Sequence, residues 1–260
     1  MKNNPTIQAL MNHRSIREYS GKEISDEMID TIVQAGQQAA FAFQGYSVLL
    51  SRKKDKHPFK SPLYFIVCAD LHKMEMIMKK RNWDIVMNDV SSLLFAIQDA
   101  AYFAQNLVVA AESLGLGTCY IGAAPYFAEK IKEEFNLPAK VFPLVGITMG
   151  FPSEDPATRP RYPLDFVLFE NEYPKFDDEA IEKAMKQMDD GYLAQDYYKA
   201  ADYKIKLNGN REETFTFENY GWTEHISRKL GQWESDPEFM IKQLKISGFY
   251  ITRKTENDDE

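Results

Sequence analysis

Between residues 92 and 114 apolar side chains recur every three or four positions: Leu93, Leu94, Ile97, Ala100, Ala101, Ala104, Leu107, Val108, Ala111 and Leu114, with Phe95, Phe103 and Val109 widening the stripe. That period predicts one long, central and largely buried helix. Gly115-Leu116-Gly117 then reads as its C-terminal cap, because glycine enters the left-handed region without steric cost. A second helical period, Met28, Ile29, Ile32, Val33 and Gly36, begins behind Ser25 as N-cap, with Asp26 and Glu27 in the first turn, and ends near residue 38. Shorter helices are predicted over 4–12 and 128–135. Runs of β-branched and aromatic residues predict strands at 46–50, 63–68, 118–121, 141–149 and 166–169. The lysine-rich stretch 52–62 and the proline-rich stretch 152–163 read as loops.

After residue 170 the pattern changes. Residues 178–200 carry a charged helical period, 202–221 are polar and aromatic with Asn208-Gly209 as a turn signal, and Asp236-Pro237 opens a terminal helix to residue 247. The tail 254–260 is highly charged and expected to fray. Strands interspersed with helices, without a βαβ rhythm, predict an α+β fold. The expected organisation is a core over 1–170 and a helical excursion with a terminal helix over 171–260, all within one domain.

At 260 residues and 44% hydrophobic, the chain is long enough for a sizeable core. Its formal net charge of −8 argues against nucleic acid or an anionic membrane surface as main partner, since both call for a broad basic face. Gln98, Asp99, Gln105, Asn106 and Glu112 interrupt the longest apolar stretch, so no transmembrane helix is expected, nor a secretory leader. Cys68 and Cys119 sit in strand-like apolar runs and read as buried free thiols of a reducing compartment, which places the protein in the cytoplasm. The four histidines, His13, His57, His72 and His225, have no ligand spacing, and no metal is expected.

Against this acidic background the segment His13-Arg14-Ser15-Ile16-Arg17-Glu18-Tyr19 crowds two guanidiniums, an imidazole and a hydroxyl behind a short helix, and Arg159-Pro160-Arg161 forms a second small basic group far downstream. Four arginines from two segments can converge on one phosphate. Either group alone also reads as a solvated patch. Gly115 and Gly117 end a helix and precede a strand, the reverse of a dinucleotide fingerprint. Gly122 differs: it closes a strand ahead of Ala123 and Ala124 and leaves bare backbone for a planar ligand. The aromatic group Tyr197, Tyr198, Tyr203, Phe215, Phe217, Tyr220 and Trp222 reads either as packing or as a lid. No nucleophile elbow is present.

The order HRSIREY, AQNLVVAAESLGLGTCYIGA, PLVGITMGFP, RPRYP and FENEY, followed by NGNREET and WTEHI, resembles the flavin-dependent nitroreductase family. More narrowly it is similar to the NADPH-dependent flavin oxidoreductase and oxygen-insensitive nitroreductase group. The resemblance implies an intertwined α+β homodimer with a central, mostly antiparallel sheet flanked by helices, and FMN at the subunit interface. It implies that His13, Arg14, Ser15, Ile16 and Arg17 bind FMN, Arg14 and Ser15 at the phosphate and Arg17 near N1 and O2 of the ring, where a cation stabilises the reduced anionic flavin. Tyr120, Ile121, Gly122 and Ala123 match the strand end facing the flavin, with Gly122 at N5, and Arg159, Pro160 and Arg161 match a second phosphate clamp. Lys206 and Arg211, with Lys204 nearby, match the holders of the NADPH 2′-phosphate. The implied activity is ping-pong hydride transfer from NADPH through FMN to nitroaromatics, quinones or free flavin.

The chain also departs from the family. Its segment between the first two strands is short and lacks a flavin-contacting glutamine, Ala39-Ala40-Phe41-Ala42-Phe43 replaces a hydroxyl-rich stretch, and Ala123 stands for a common glycine. Phe41 is then a candidate for packing beside the flavin. These departures keep a second expectation open, a flavin-binding or redox-sensing protein of the same fold with little turnover. The choice between NADPH and NADH stays open as well.

Overall fold

The computed structural model describes residues 4–233 and 236–251. Its contacts gather into two compact units, one of residues 1–156 and 236–260, the other of residues 157–235. The charged tail 254–260 lies outside the described residues.

In the first unit, α1 (Pro5–Met11) and α2 (Asp26–Gln37) precede the paired strands β1 (Tyr46–Ser51) and β2 (Leu63–Asp70). After α3 (His72–Lys80) comes α4 (Asp89–Ser113), then β3 (Gly117–Ile121), α5 (Ala128–Phe135), β4 (Val141–Gly150) and, after the second unit, α9 (Pro237–Ile246). The sheet is antiparallel throughout, in the order β1-β2-β4-β3. β2 is covered on both faces, which accounts for its nearly unbroken apolar sequence. Phe65 and Val67 pack with Ile32 of α2 and with Phe103 and Leu107 of α4, while the alternate residues Ile66 and Cys68 pack with Ala124, Ile131 and Val141. Between Val67 and Cys68 the register slips by one residue opposite Pro143, a bulge that accommodates a residue with no N–H to donate.

α4 organises this unit. Ser25 caps α2 by accepting from the Met28 N–H, as expected, and α2 lies against α4. The end of α4 is a Schellman turn: Gly115 has φ +80°, its N–H donates to the Glu112 carbonyl at 3.0 Å, and the Leu116 N–H to Ala111 at 3.0 Å. Gly117 is not part of that cap; it opens β3. By length and composition α4 passes for a membrane span, yet its inner face carries Asp99, 2% exposed, among buried Leu93, Ala100, Phe103 and Leu107. Leu94 and Leu114, expected on the buried stripe, are exposed, as are Val90 and Tyr102, so a second side of α4 stays open.

The second unit holds α6 (Asp178–Leu193), α7 (Tyr197–Ala200) and α8 (Trp222–Gln232). The expected helix 178–200 breaks at Asp196, whose φ of +47° cannot continue it. The expected strand 166–169 does not form. Leu164–Phe166 is a 3-10 turn, Val167 and Leu168 donate to the Leu164 carbonyl, and Phe166 and Phe169 sit three apart on one side against Phe176. Val167 and Leu168 stay exposed, so the apolar run is neither a strand nor buried. α3 and α8 have no counterpart in the apolar pattern, because α3 buries nothing and α8 buries Arg228, a residue that reads as surface.

Candidate functional site

Residues 13–19 run along the free edge of β3. Ser15 bridges Thr118 in parallel register, and the Ile16 N–H donates to the Thr118 carbonyl at 2.7 Å. Gly117 makes room: a Cβ there would stand 2.7 Å from Ile16, so the segment lies tight against the strand. Tyr19 fixes the far end, its hydroxyl 2.6 Å from the Ile16 carbonyl and 2.7 Å from Thr148 Oγ1. Burial pushes the Tyr19 hydroxyl well above its usual pKa.

Carboxylates hold this segment from behind. Glu154 accepts the N–H groups of Arg17 and Glu18. Glu112 accepts from Thr118 Oγ1 at 2.8 Å and lies 2.8 Å from His13 Nδ1. Arg14 pairs with Asp155 at 2.6 Å and reaches the Pro156 carbonyl at 3.3 Å. Arg14, Glu112, Glu154 and Asp155 all line one cleft of about 280 Å³. Asp155 is 83% exposed, and such pairs contribute only about 0–1 kcal/mol, so a dianion can take its place on Arg14.

The β3 end projects past this edge. Tyr120 and Ile121 are half-buried, Gly122 and Ala123 exposed, and nothing lies within 4 Å of where a Gly122 Cβ would be. Burial raises the pKa of the Tyr120 hydroxyl. Burial also raises that of the Cys119 thiol, against the opposing charge of Arg17 and a hydrogen bond with Ser15. Asp99 anchors a further loop, accepting from Ala42 at 2.6 Å, Phe43 at 3.1 Å and Gly45 at 2.9 Å, which leaves Phe41 exposed above it.

Arg159, Pro160 and Arg161 belong to the second unit. Arg159 donates to Gln195 at 2.8 Å and lies 3.9 Å above the Tyr197 ring, Pro160 packs on Gly191, and exposed Arg161 donates to the carbonyls of Arg159 and Pro160. Of the aromatic group, Tyr198 and Tyr220 are interior and pack around His225, whose pKa burial lowers. Lys206 and Arg211 are exposed on the loop before α8, and among the described residues neither side chain has a hydrogen-bonding or ionic partner. Lys204 is engaged instead, donating to the Phe215 carbonyl at 2.5 Å.

The structure thus lays residues 13–17 along β3 at Thr118, the strand whose far end carries Tyr120 and Ile121 ahead of Gly122 and Ala123. Sequence reasoning missed the fasteners, Asp99, Glu112, Glu154 and Asp155. Asp99 and Glu112 did leave a signal as lone carboxylates inside an apolar helix, where an ionised group needs partners. No group of three or more His, Cys, Asp or Glu side chains suited to a metal exists among the described residues.

The model of the Nitroreductase family matches residues 49–151. The "CR(VI) reductase" of Pseudomonas sp. (strain G-1) is 38% identical over 64% of this chain and 74% of that protein. The "FMN reductase (NADPH)" of Bacillus subtilis (strain 168) is 32% identical over 82% of this chain and 89% of that protein. The solved structure of B. megaterium NfrA1 superposes with a TM-score of 0.79 at 30% identity, covering 95% of this chain and 99% of the other.

Proposed function

Because the chain belongs to the nitroreductase family, we propose that it is an FMN-dependent NAD(P)H oxidoreductase reducing nitroaromatics, quinones or free flavin. The observation that carries this reading is the sheet edge on which a segment with two arginines runs beside a strand ending in an open glycine. FMN, when bound, supplies a ring that accepts hydride at N5 from the nicotinamide and passes two electrons to an acceptor in a second half-reaction.

The residues present suit that cofactor. Arg14 and Ser15 would hold its phosphate, and Arg17 would supply positive charge beside β3 where the reduced ring needs it; Arg159 and Arg161 are carried over from the family resemblance as a further phosphate clamp. Gly122 leaves its backbone open to the ring, flanked by Tyr120, Ile121 and Ala123, and Phe41 offers an apolar face. His13 and Ile16 set the segment, through Glu112 and Thr118. Lys206 and Arg211 receive the NADPH phosphate. No side chain need act as base, and the raised pKa values of Tyr19, Tyr120 and Cys119 keep those three protonated near neutral pH. Rate therefore comes from positioning and electrostatics. The core within 1–170 would carry the flavin contacts and the excursion after it the coenzyme contacts, while α9 gathers with the first unit. A second copy of the chain completes the site, covering the open side of α4 at Val90, Leu94 and Tyr102.

The test is to reconstitute the protein with FMN, record flavin absorbance at roughly 450 nm, and add NADPH without air. Bleaching, followed by recovery on adding a quinone, is the expected result. A yellow protein that does not bleach points to the sensing role, which the hydroxyl-free stretch 39–43 favours. Failure to take up FMN overturns both.

A further inference from the structure

The loop that carries Lys206 and Arg211 is closed at both ends by a single buried guanidinium. Arg228, on α8, is 3% exposed. Its Nη1 donates to the Ile205 carbonyl at 2.8 Å and to Glu213 Oε2 at 2.7 Å, and its Nη2 donates to Glu213 Oε1 at 2.8 Å. Its Nε donates to Glu224 at 2.6 Å. Ile205 and Glu213 are therefore tied to the same planar group, and the residues between them form a closed strap. The rings of Tyr220 and Phe215 lie 5.0 and 5.6 Å from the guanidinium carbon, and the Tyr220 hydroxyl accepts the Ile205 N–H at 3.1 Å. Gln232 adds a middle stitch, accepting from the Asn208 N–H at 2.7 Å and donating to the Lys206 carbonyl at 3.0 Å.

The charges divide by position. The cation inside the strap is saturated with carboxylate, while Lys206 and Arg211 on its outside have no protein partner among the described residues. Burying the guanidinium offsets most of its attraction to the carboxylates, so the cluster is a poor source of net stability. What it provides is fixed geometry: a bidentate arginine cannot slide, so the backbone at both ends of the strap is set before any ligand arrives. A loop ordered in advance spares the ligand the entropy of ordering it.

We propose that Arg228, held by Glu213 and Glu224, is a positioning residue for coenzyme choice: it closes the 205–213 strap so that Lys206 and Arg211 present a preformed pair of cations to a phosphate dianion. The proposal rests on the reading that these two cations meet the extra phosphate of NADPH. Disturbing the clamp then weakens NADPH selectively, since NADH lacks that phosphate.

The experiment measures steady-state kinetics of the FMN-reconstituted enzyme with NADPH and with NADH, at saturating quinone, for Glu213→Ala, Glu213→Gln, Arg228→Lys and the double variant Lys206→Ala/Arg211→Ala. Melting curves accompany each. The double variant should raise the NADPH KM by about tenfold or more while the NADH KM holds. Glu213→Ala should raise the NADPH KM about fivefold, with kcat and the NADH KM within about twofold, and Glu213→Gln should recover part of the loss by keeping a hydrogen bond. If Arg228→Lys fails to fold, the Glu213 pair still decides. An unchanged NADPH KM in Glu213→Ala, or equal rises for both coenzymes, overturns the clamp while leaving the coenzyme reading intact. A double variant with unaltered NADPH kinetics overturns that reading, and the clamp with it.

Discussion

Two segments of this protein carry the cations proposed to meet an anion, and they are fastened in opposite ways. Along the β3 edge, residues 13–19 are held by carboxylates: Glu154 takes two backbone N–H groups, Glu112 takes His13, and Asp155 occupies Arg14 itself. In the 205–213 loop the fastener is a buried arginine that uses up the neighbouring carboxylates and leaves the outward cations free. The first arrangement makes the phosphate compete with a resident acid; the second does not. Binding at the β3 edge should therefore depend on how easily Asp155 is displaced.

The sharpest way to break this comparison is Arg14→Ala. Losing a charge-assisted hydrogen bond costs about 1.5–3 kcal/mol, so FMN affinity should fall by roughly one to two orders of magnitude in a fluorescence titration. An unchanged affinity would mean that Arg14 belongs to Asp155 permanently. Asp155→Ala should act in the other direction and more weakly. With the competing acid removed, FMN should bind about two- to fivefold tighter, within the small worth of an exposed pair. Weaker binding in that variant would show that Asp155 shapes Arg14 instead of masking it.

The smallest effect concerns the second unit and pH. Burial, with Lys229 adding to it, holds the His225 imidazole below its usual 6.5. Because its folded pKa is depressed, the unfolded chain binds the proton first as pH falls. The stability it contributes is complete above about pH 6.5 and declines below it. His225→Gln should flatten the loss of melting temperature between pH 7 and 5; an identical slope in both proteins removes His225 as its source. Glu213, held near 2 by Arg228, is depressed in the same sense, so its contribution is complete above the usual carboxylate range and fades only as the pH drops toward 2.

How much was legible beforehand depended on whether a residue's neighbours lay close in sequence. The α4 helix, the Ser25 cap and the Gly115 turn are local, and each stands where the apolar pattern and the capping chemistry placed it, although Leu94 and Leu114 turn outward. The strand expected at 166–169 failed because Phe166 and Phe169, three apart, share one side of a turn against Phe176 while Val167 and Leu168 face outward. α8 was hidden because the residue it buries is Arg228, whose partner Glu213 lies outside the helix and whose burial no hydrophobicity pattern reveals. On the β3 edge the arginines and Gly122 could be read from composition and motif. Glu154 and Asp155 could not, since they act on residues more than a hundred positions away.

The central claim is that a flat cofactor lies over the backbone at Gly122. The direct measurement is FMN affinity and melting temperature of Gly122→Val beside the wild type. Since no atom lies within 4 Å of the added Cβ and the residue has no left-handed φ, the apo protein should melt as before. FMN binding should be lost or severely weakened, because the new side chain fills the space the ring needs. Wild-type affinity in a normally folded Gly122→Val protein would contradict the account.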